Sequence, residues 1–158
     1  MKLITMMLLT LFTLSAFSFA EEFPQGPLAQ NTPGELCTST NHVRYPERIA
    51  YCDRDVSSAR KKQIFEDYRR LGFTLPANDR GSYKIDHYIP LCAGGSNSTK
   101  NLWPQHKSVY EITDPLEPLV CEKMSQGRLK QAEAVDLVKK VKNDLSKADE
   151  VMDYLNRL

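Results

Sequence analysis

No two cysteines in this chain are spaced Cys-x-x-Cys, and beyond residue 20 no apolar run approaches the ~20 residues that a membrane-spanning helix needs. The first absence weakens a zinc-ribbon reading and the second argues against a spanning segment. No internal repeat or low-complexity tract stands out, and no base-reading module such as a zinc finger is recognisable. Neither sign of charge is in excess, with 21 Lys and Arg against 20 Asp and Glu. A balanced total still leaves a nucleic-acid partner open, because placement of charge matters more than its sum. Histidine is scarce as well: His42, His87 and His106 are the whole supply.

The chain does have a leader-like start. Lys2 precedes residues 3–14, which are apolar apart from Thr5, Thr10 and Thr13, and Ser18-Phe19-Ala20 supplies small residues where a signal peptidase reads. A signal peptide over residues 1–20 is expected, with export to the periplasm or the medium. Removing the first 20 of 158 residues leaves 138, a length suited to one domain with a real core. Lys2 leaves with the leader, so the two signs of charge then balance. Four cysteines remain, and an even count in an exported chain predicts two disulfides. Of the three possible pairings, Cys37–Cys52 and Cys92–Cys121 are preferred, since each joins neighbouring segments.

Residues 21–36 carry Pro24, Gly26, Pro27, Pro33 and Gly34 among polar residues, which predicts a flexible, extended arm. Residues 37–158 are expected to form a single domain. Ser57 can cap a helix whose apolar stripe is Ile64, Phe65, Tyr68 and Leu71, with Gly72 at its end. Arg60, Lys61, Lys62, Arg69 and Arg70 share that helix; they suit either a solvated face or a phosphate-contacting one. Residues 83–87 alternate as a short strand, the Gly94-Gly95 pair breaks the run, and residues 101–103 suit a second strand. Asp114, Pro115 and Glu117 together signal a helix start with Asp114 as cap. Leu129, Ala132, Val135, Val138 and Val141 mark another helix. Leu145, Ala148, Val151, Met152 and Leu155 mark the last, with Asn143 as its expected cap. These two helices, within residues 128–158, look like scaffold.

The chemistry concentrates at Asp86-His87. Neighbours on a strand point to opposite faces, so the pair is not automatically a partnership. At a strand end both can approach one small volume. A carboxylate is a hard oxygen ligand for a cation such as Mg²⁺, and a neutral histidine is a base near neutral pH. Phosphodiester hydrolysis uses both functions.

The wider spacing, Asp86-His87-x-x-Pro90-Leu91-x-x-Gly94-Gly95-x-Asn97 followed by Asn101-Leu102-Trp103-Pro104-Gln105, resembles the HNH endonucleases, a branch of the ββα-metal nucleases. It is most similar to small secreted members with an Asn-Leu-Trp-Pro-Gln second strand. The resemblance implies an α+β fold in which a hairpin-plus-helix core, about residues 83–125, sits in a mostly helical small domain. It implies a metal-dependent endonuclease with little sequence specificity that cuts DNA, with RNA as a further substrate, and leaves 5′-phosphate and 3′-hydroxyl ends. One divalent cation is implied, Mg²⁺ first, with Mn²⁺ or Zn²⁺ as alternatives. His87 matches the general base, Asp86 the metal ligand before it, and Asn101 the residue that cross-links the hairpin loop.

The family's last metal position departs from the pattern. Its usual spacing from Asn101 falls near Tyr110, an unsuitable Mg²⁺ ligand, so Glu111 and His106 are the candidates, with Asp114 behind them. Arg44, Arg48 and Lys107 are candidate phosphate contacts. A monomer is expected. Two other classes stay open: a catalytically degenerate nucleic-acid-binding protein, and a secreted, disulfide-stabilised interaction module.

Overall fold

The computed structural model describes residues 23–39, 41–76 and 80–158, so the expected leader lies outside the described residues. The molecule is α+β, two small hairpins among helices. Strands β1 (Val43–Arg44) and β2 (Ile49–Ala50) pair antiparallel inside the loop closed by Cys37–Cys52. Helix α1 (Ser58–Arg70) begins where expected: Ser57 Oγ accepts from the Arg60 amide at 3.2 Å, satisfying one of the helix's free donors.

Strands β3 (Tyr83–His87) and β4 (Leu102–His106) form the central hairpin, in register from Tyr83 opposite His106 to His87 opposite Leu102. The second strand starts one residue later than expected and runs three further. Asn101 belongs to the 3-10 turn before it, and Pro104 lies opposite Ile85 within it. A two-stranded sheet leaves each strand an outer edge, where proline's missing N–H removes no ladder bond.

Four helices follow: α2 (Lys107–Thr113), α3 (Leu116–Ser125), α4 (Gln131–Asn143) and α5 (Ala148–Arg157). Asp114 does not cap α3. Its amide bonds to the Tyr110 carbonyl at 2.8 Å, so it ends α2 in helical geometry, and its side chain turns to Lys84. Asn143 caps nothing either. It closes α4 and donates to the Tyr88 hydroxyl at 2.7 Å, while Asp144 accepts from Ser146 at the next turn.

Two apolar clusters hold the elements together. In one, Ile64 and Tyr68 of α1 pack on Leu102 and Trp103 of β4 with Val109 of α2. In the other, Leu116, Val120 and Met124 of α3 meet Val138 and Val141 of α4 and Val151 and Leu155 of α5. The second disulfide, Cys92–Cys121, ties the turn after β3 to α3, as the sequence predicts. Residues 23–36 do not hang free. Thr32 is buried with its hydroxyl 2.8 Å from that of Tyr68, Leu36 bridges to Gly95, and Phe23 stacks on His106 with ring centres 3.9 Å apart. Proline and glycine make this stretch extended; hydrogen bonds to the hairpin and α1 hold it down. Among the described residues no helix is long and apolar enough to cross a membrane.

Candidate active site

The end of the central hairpin is built around Asn101, which is fully buried. Its Oδ1 accepts from the Ile89 amide at 2.9 Å, and its Nδ2 donates to the carbonyls of Ile89 and Ser96, each at 2.9 Å. One side chain thus satisfies three backbone groups that burial would otherwise leave unpaired. The turn can close this tightly because residue 95 is glycine. A Cβ there would collide with the Ile89 carbonyl oxygen, and Gly94 before it sits at φ +84°.

That clasp positions His87, the last residue of β3. Its Nε2 lies 3.0 Å from Asn97 Oδ1, while Asn97 Nδ2 donates to the Asp53 carbonyl at 2.7 Å. With the amide oriented by Asp53, Asn97 Oδ1 is an acceptor, so Nε2 carries the proton and Nδ1 is the ring's basic nitrogen. Burial pushes the His87 pKa below the ordinary histidine value, against the opposing hydrogen bond from Asn97, and the nearby Arg54 charge lowers it further. The imidazole is therefore neutral at neutral pH. It is also only 3 % exposed.

Asp86 points to the other face of the strand, into a cluster of charges. Lys142, from α4, has a side chain with no solvent exposure. Its Nζ donates to Asp86 Oδ2 at 2.7 Å, to Glu117 Oε1 at 2.8 Å and to the His87 carbonyl at 2.7 Å. The second oxygen of Asp86 lies 3.4 Å from Lys84 Nζ. Burial works against the Asp86 carboxylate, but the Lys142 and Lys84 ammonium groups outweigh it and hold its pKa below the usual carboxylate range. For Glu117 burial prevails over Lys142, with Asp86 adding to it, and the pKa is raised. Lys142 stays charged: the two carboxylates outweigh its burial and raise its pKa.

Asp86 and Glu117 form part of the wall of a cleft of about 640 Å³. Arg54, Lys61, Lys62 and Lys84 line the same cleft, Lys61 and Lys62 from α1, which also contributes Glu66. Arg60, on the same helix, donates instead to the Asn97 carbonyl at 2.9 Å, next to the His87 partner.

The other expected site residues lie elsewhere. Glu111 is exposed on α2 and ion-paired with Lys107 at 3.7 Å. His106 sits opposite Tyr83, on the strand face away from Asp86; it caps α2 through Ser108 and stacks on Phe23. Neither is brought to Asp86. Arg44 lies over the Tyr51 ring and Arg48 is exposed in the β1–β2 turn; these two and Lys107 are not among the residues lining the cleft.

Sequence reasoning does not bring Glu117 and Lys142 to the site. Glu117 carries the signal of a capping glutamate at the third position of a helix, and Lys142 that of a solvated lysine in an amphipathic helix. A lysine directly following the apolar-face residue Val141 is the single local hint of burial.

No family model, curated protein or solved structure matches the chain. Among the described residues, no three side chains of His, Cys, Asp or Glu are grouped to hold a metal ion. The donor chemistry at Asp86 is nonetheless that of a cation site, since three oxygens converge on one point. That point is held by the Lys142 ammonium, and the remaining Asp86 oxygen faces Lys84. The residues present therefore do not fit the divalent cation that the HNH resemblance implies.

Proposed function

We propose that this is an exported nucleic-acid phosphodiester hydrolase, an endonuclease of the HNH type, with His87 as the base that takes a proton from the attacking water. The observation that carries the proposal is the neutral His87 ring, its Nε2–H engaged by Asn97 and its Nδ1 left basic, on a hairpin clasped by Asn101. Arg54, Lys61, Lys62 and Lys84 supply positive charge in the adjoining cleft, suited to a phosphate backbone and indifferent to base sequence. Two disulfides suit an oxidising compartment, which agrees with the leader-like start.

The test is digestion of plasmid DNA and of RNA by the oxidised protein lacking residues 1–20, in EDTA and in Mg²⁺ or Mn²⁺. Cleavage is expected, with His87→Ala slower by about 10²–10⁴-fold. A mutant that cuts at the wild-type rate refutes the assignment of the base.

Two observations favour a second reading, a protein that binds nucleic acid without cutting it: the near-complete burial of His87 and the Lys142 ammonium between the two carboxylates. Binding that weakens steeply with salt, with no cleavage under any of these conditions, would select it.

A further inference from the structure

Among the described residues, Lys142 is a lysine whose side chain has no solvent exposure, and it comes from a helix the sequence marks as scaffold. Its stem runs through the core from α4, and its ammonium ends on Asp86 Oδ2, Glu117 Oε1 and the carbonyl oxygen of His87. All three protons of the ammonium are used, and all three acceptors are oxygens, the donor type a hard divalent cation also takes. Lys142 is not among the residues lining the cleft, whereas Asp86 and Glu117 are. The ammonium thus reaches the carboxylates from the core side. On the cleft side, Asp86 Oδ1 faces a second ammonium, that of Lys84, which is itself anchored by Asp114. Each oxygen of Asp86 therefore has a cationic partner from this chain. A divalent ion seated there would lie against a buried positive charge that cannot retreat into water.

We propose that Lys142 is the resident cation of the Asp86–Glu117 pair and, with Lys84 on the outer oxygen, takes the place of a divalent metal. Asp86 and Glu117 are held by the ammonium as one rigid unit beneath the cleft, and the His87 carbonyl, as its third acceptor, links that unit to the strand carrying the base. Lys142 is a positioning residue here. Whatever happens at the His87 ring proceeds without a metal on these carboxylates. This inference needs only the geometry of the cluster and does not depend on hydrolysis taking place.

The test is Mn²⁺ binding, followed by the loss of the free-ion paramagnetic resonance signal, on the full oxidised chain without nucleic acid. Wild type is expected to bind no Mn²⁺ through Asp86. Lys142→Met should open the site and tighten binding by about tenfold or more, and adding Glu117→Gln should abolish the gain. Micromolar binding by wild type that Asp86→Asn removes would overturn the proposal. So would a folded Lys142→Met protein that gains nothing. Because that variant exposes two unbalanced carboxylates and risks unfolding, a second measurement uses wild type alone. Reductive methylation, mapped by mass spectrometry, should leave Lys142 protected with and without saturating Mn²⁺ or Mg²⁺. Labelling that appears when metal is added would show the ammonium displaced and overturn the proposal. Cleavage that requires Mg²⁺ at Asp86 would likewise overturn it while upholding the nuclease; absence of all cleavage, with the Mn²⁺ results as expected, would overturn the nuclease alone.

Discussion

The two ends of the candidate site are held by opposite means. Around Asn101 the fastening is neutral and local: one amide side chain bonds three backbone groups, all within twelve residues of it in the chain. Around Lys142 it is ionic and remote, joining Asp86 and Glu117 across 56 and 25 residues. A neutral clasp fixes geometry with little dependence on solution conditions. A buried ammonium with two carboxylates fixes it only while all three partners are present, because removing one leaves unbalanced charge in a low-dielectric interior. His87 is thus anchored by the robust device, and the carboxylates by the fragile one.

Breaking the ionic end should have the larger effect. Lys142→Met is expected to cost about 3–5 kcal/mol at pH 7, read from urea unfolding, because it strands two carboxylates. The distinguishing result is a change of sign. Asp86→Asn should destabilise wild type, where the fold favours its charged form, but partly restore the Lys142→Met protein, since there it removes a repulsion. If the asparagine is destabilising in both backgrounds, the ionic account of this end fails.

The neutral end comes next. Asn101→Ala leaves the Ile89 amide and two carbonyls without their side-chain partner, a loss of about 3 kcal/mol by the same measurement. Unlike the lysine variant, it should show nearly the same loss at low and high salt, since no charge is removed. A strong salt dependence would mean that the clasp is coupled to the charged cluster and is not an independent unit.

The smallest expected effect concerns pH at His87, where the two ends meet. Its folded-state pKa lies below the ordinary value, so on acidification the unfolded chain takes up the proton first. The stability contributed by the neutral ring is complete above about pH 6.5 and is lost as pH falls below it, at no more than about 1.4 kcal/mol per pH unit. Comparing unfolding of wild type and His87→Gln at pH 7.5 and 5.5 isolates this loss, which the glutamine variant should lack. An equal loss in both proteins would assign it to other groups.

Much of the hairpin end is legible in the order of its residues. The Gly94-Gly95 pair marks a turn where a Cβ has no room at residue 95, and the HNH resemblance implies Asn101 as its fastening. The helix start at Ser57 and both disulfide pairings follow from equally local rules. Local rules also mislead. Asp114 and Glu117 match a capping pattern, but once Lys84 engages Asp114 and Lys142 engages Glu117, neither side chain turns back to the helix end. Glu111 stands one residue beyond the usual spacing from Asn101 and lies in solvent, because α2 ends at Asp114 and the carboxylate that shares Lys142 with Asp86 comes from the next helix.

The sequence by itself determined the two disulfides and the placement of His87 at a strand end, because both rest on local pattern and cysteine order. The α+β core and the Asn101 cross-link were what the HNH resemblance implied, and the α+β character and the three Asn101 bonds are seen in the structure. Only the tertiary structure decided what Asp86 faces. Its partners come from α3 and α4, and a lysine's burial depends on how helices pack side by side, which no local pattern of residues records.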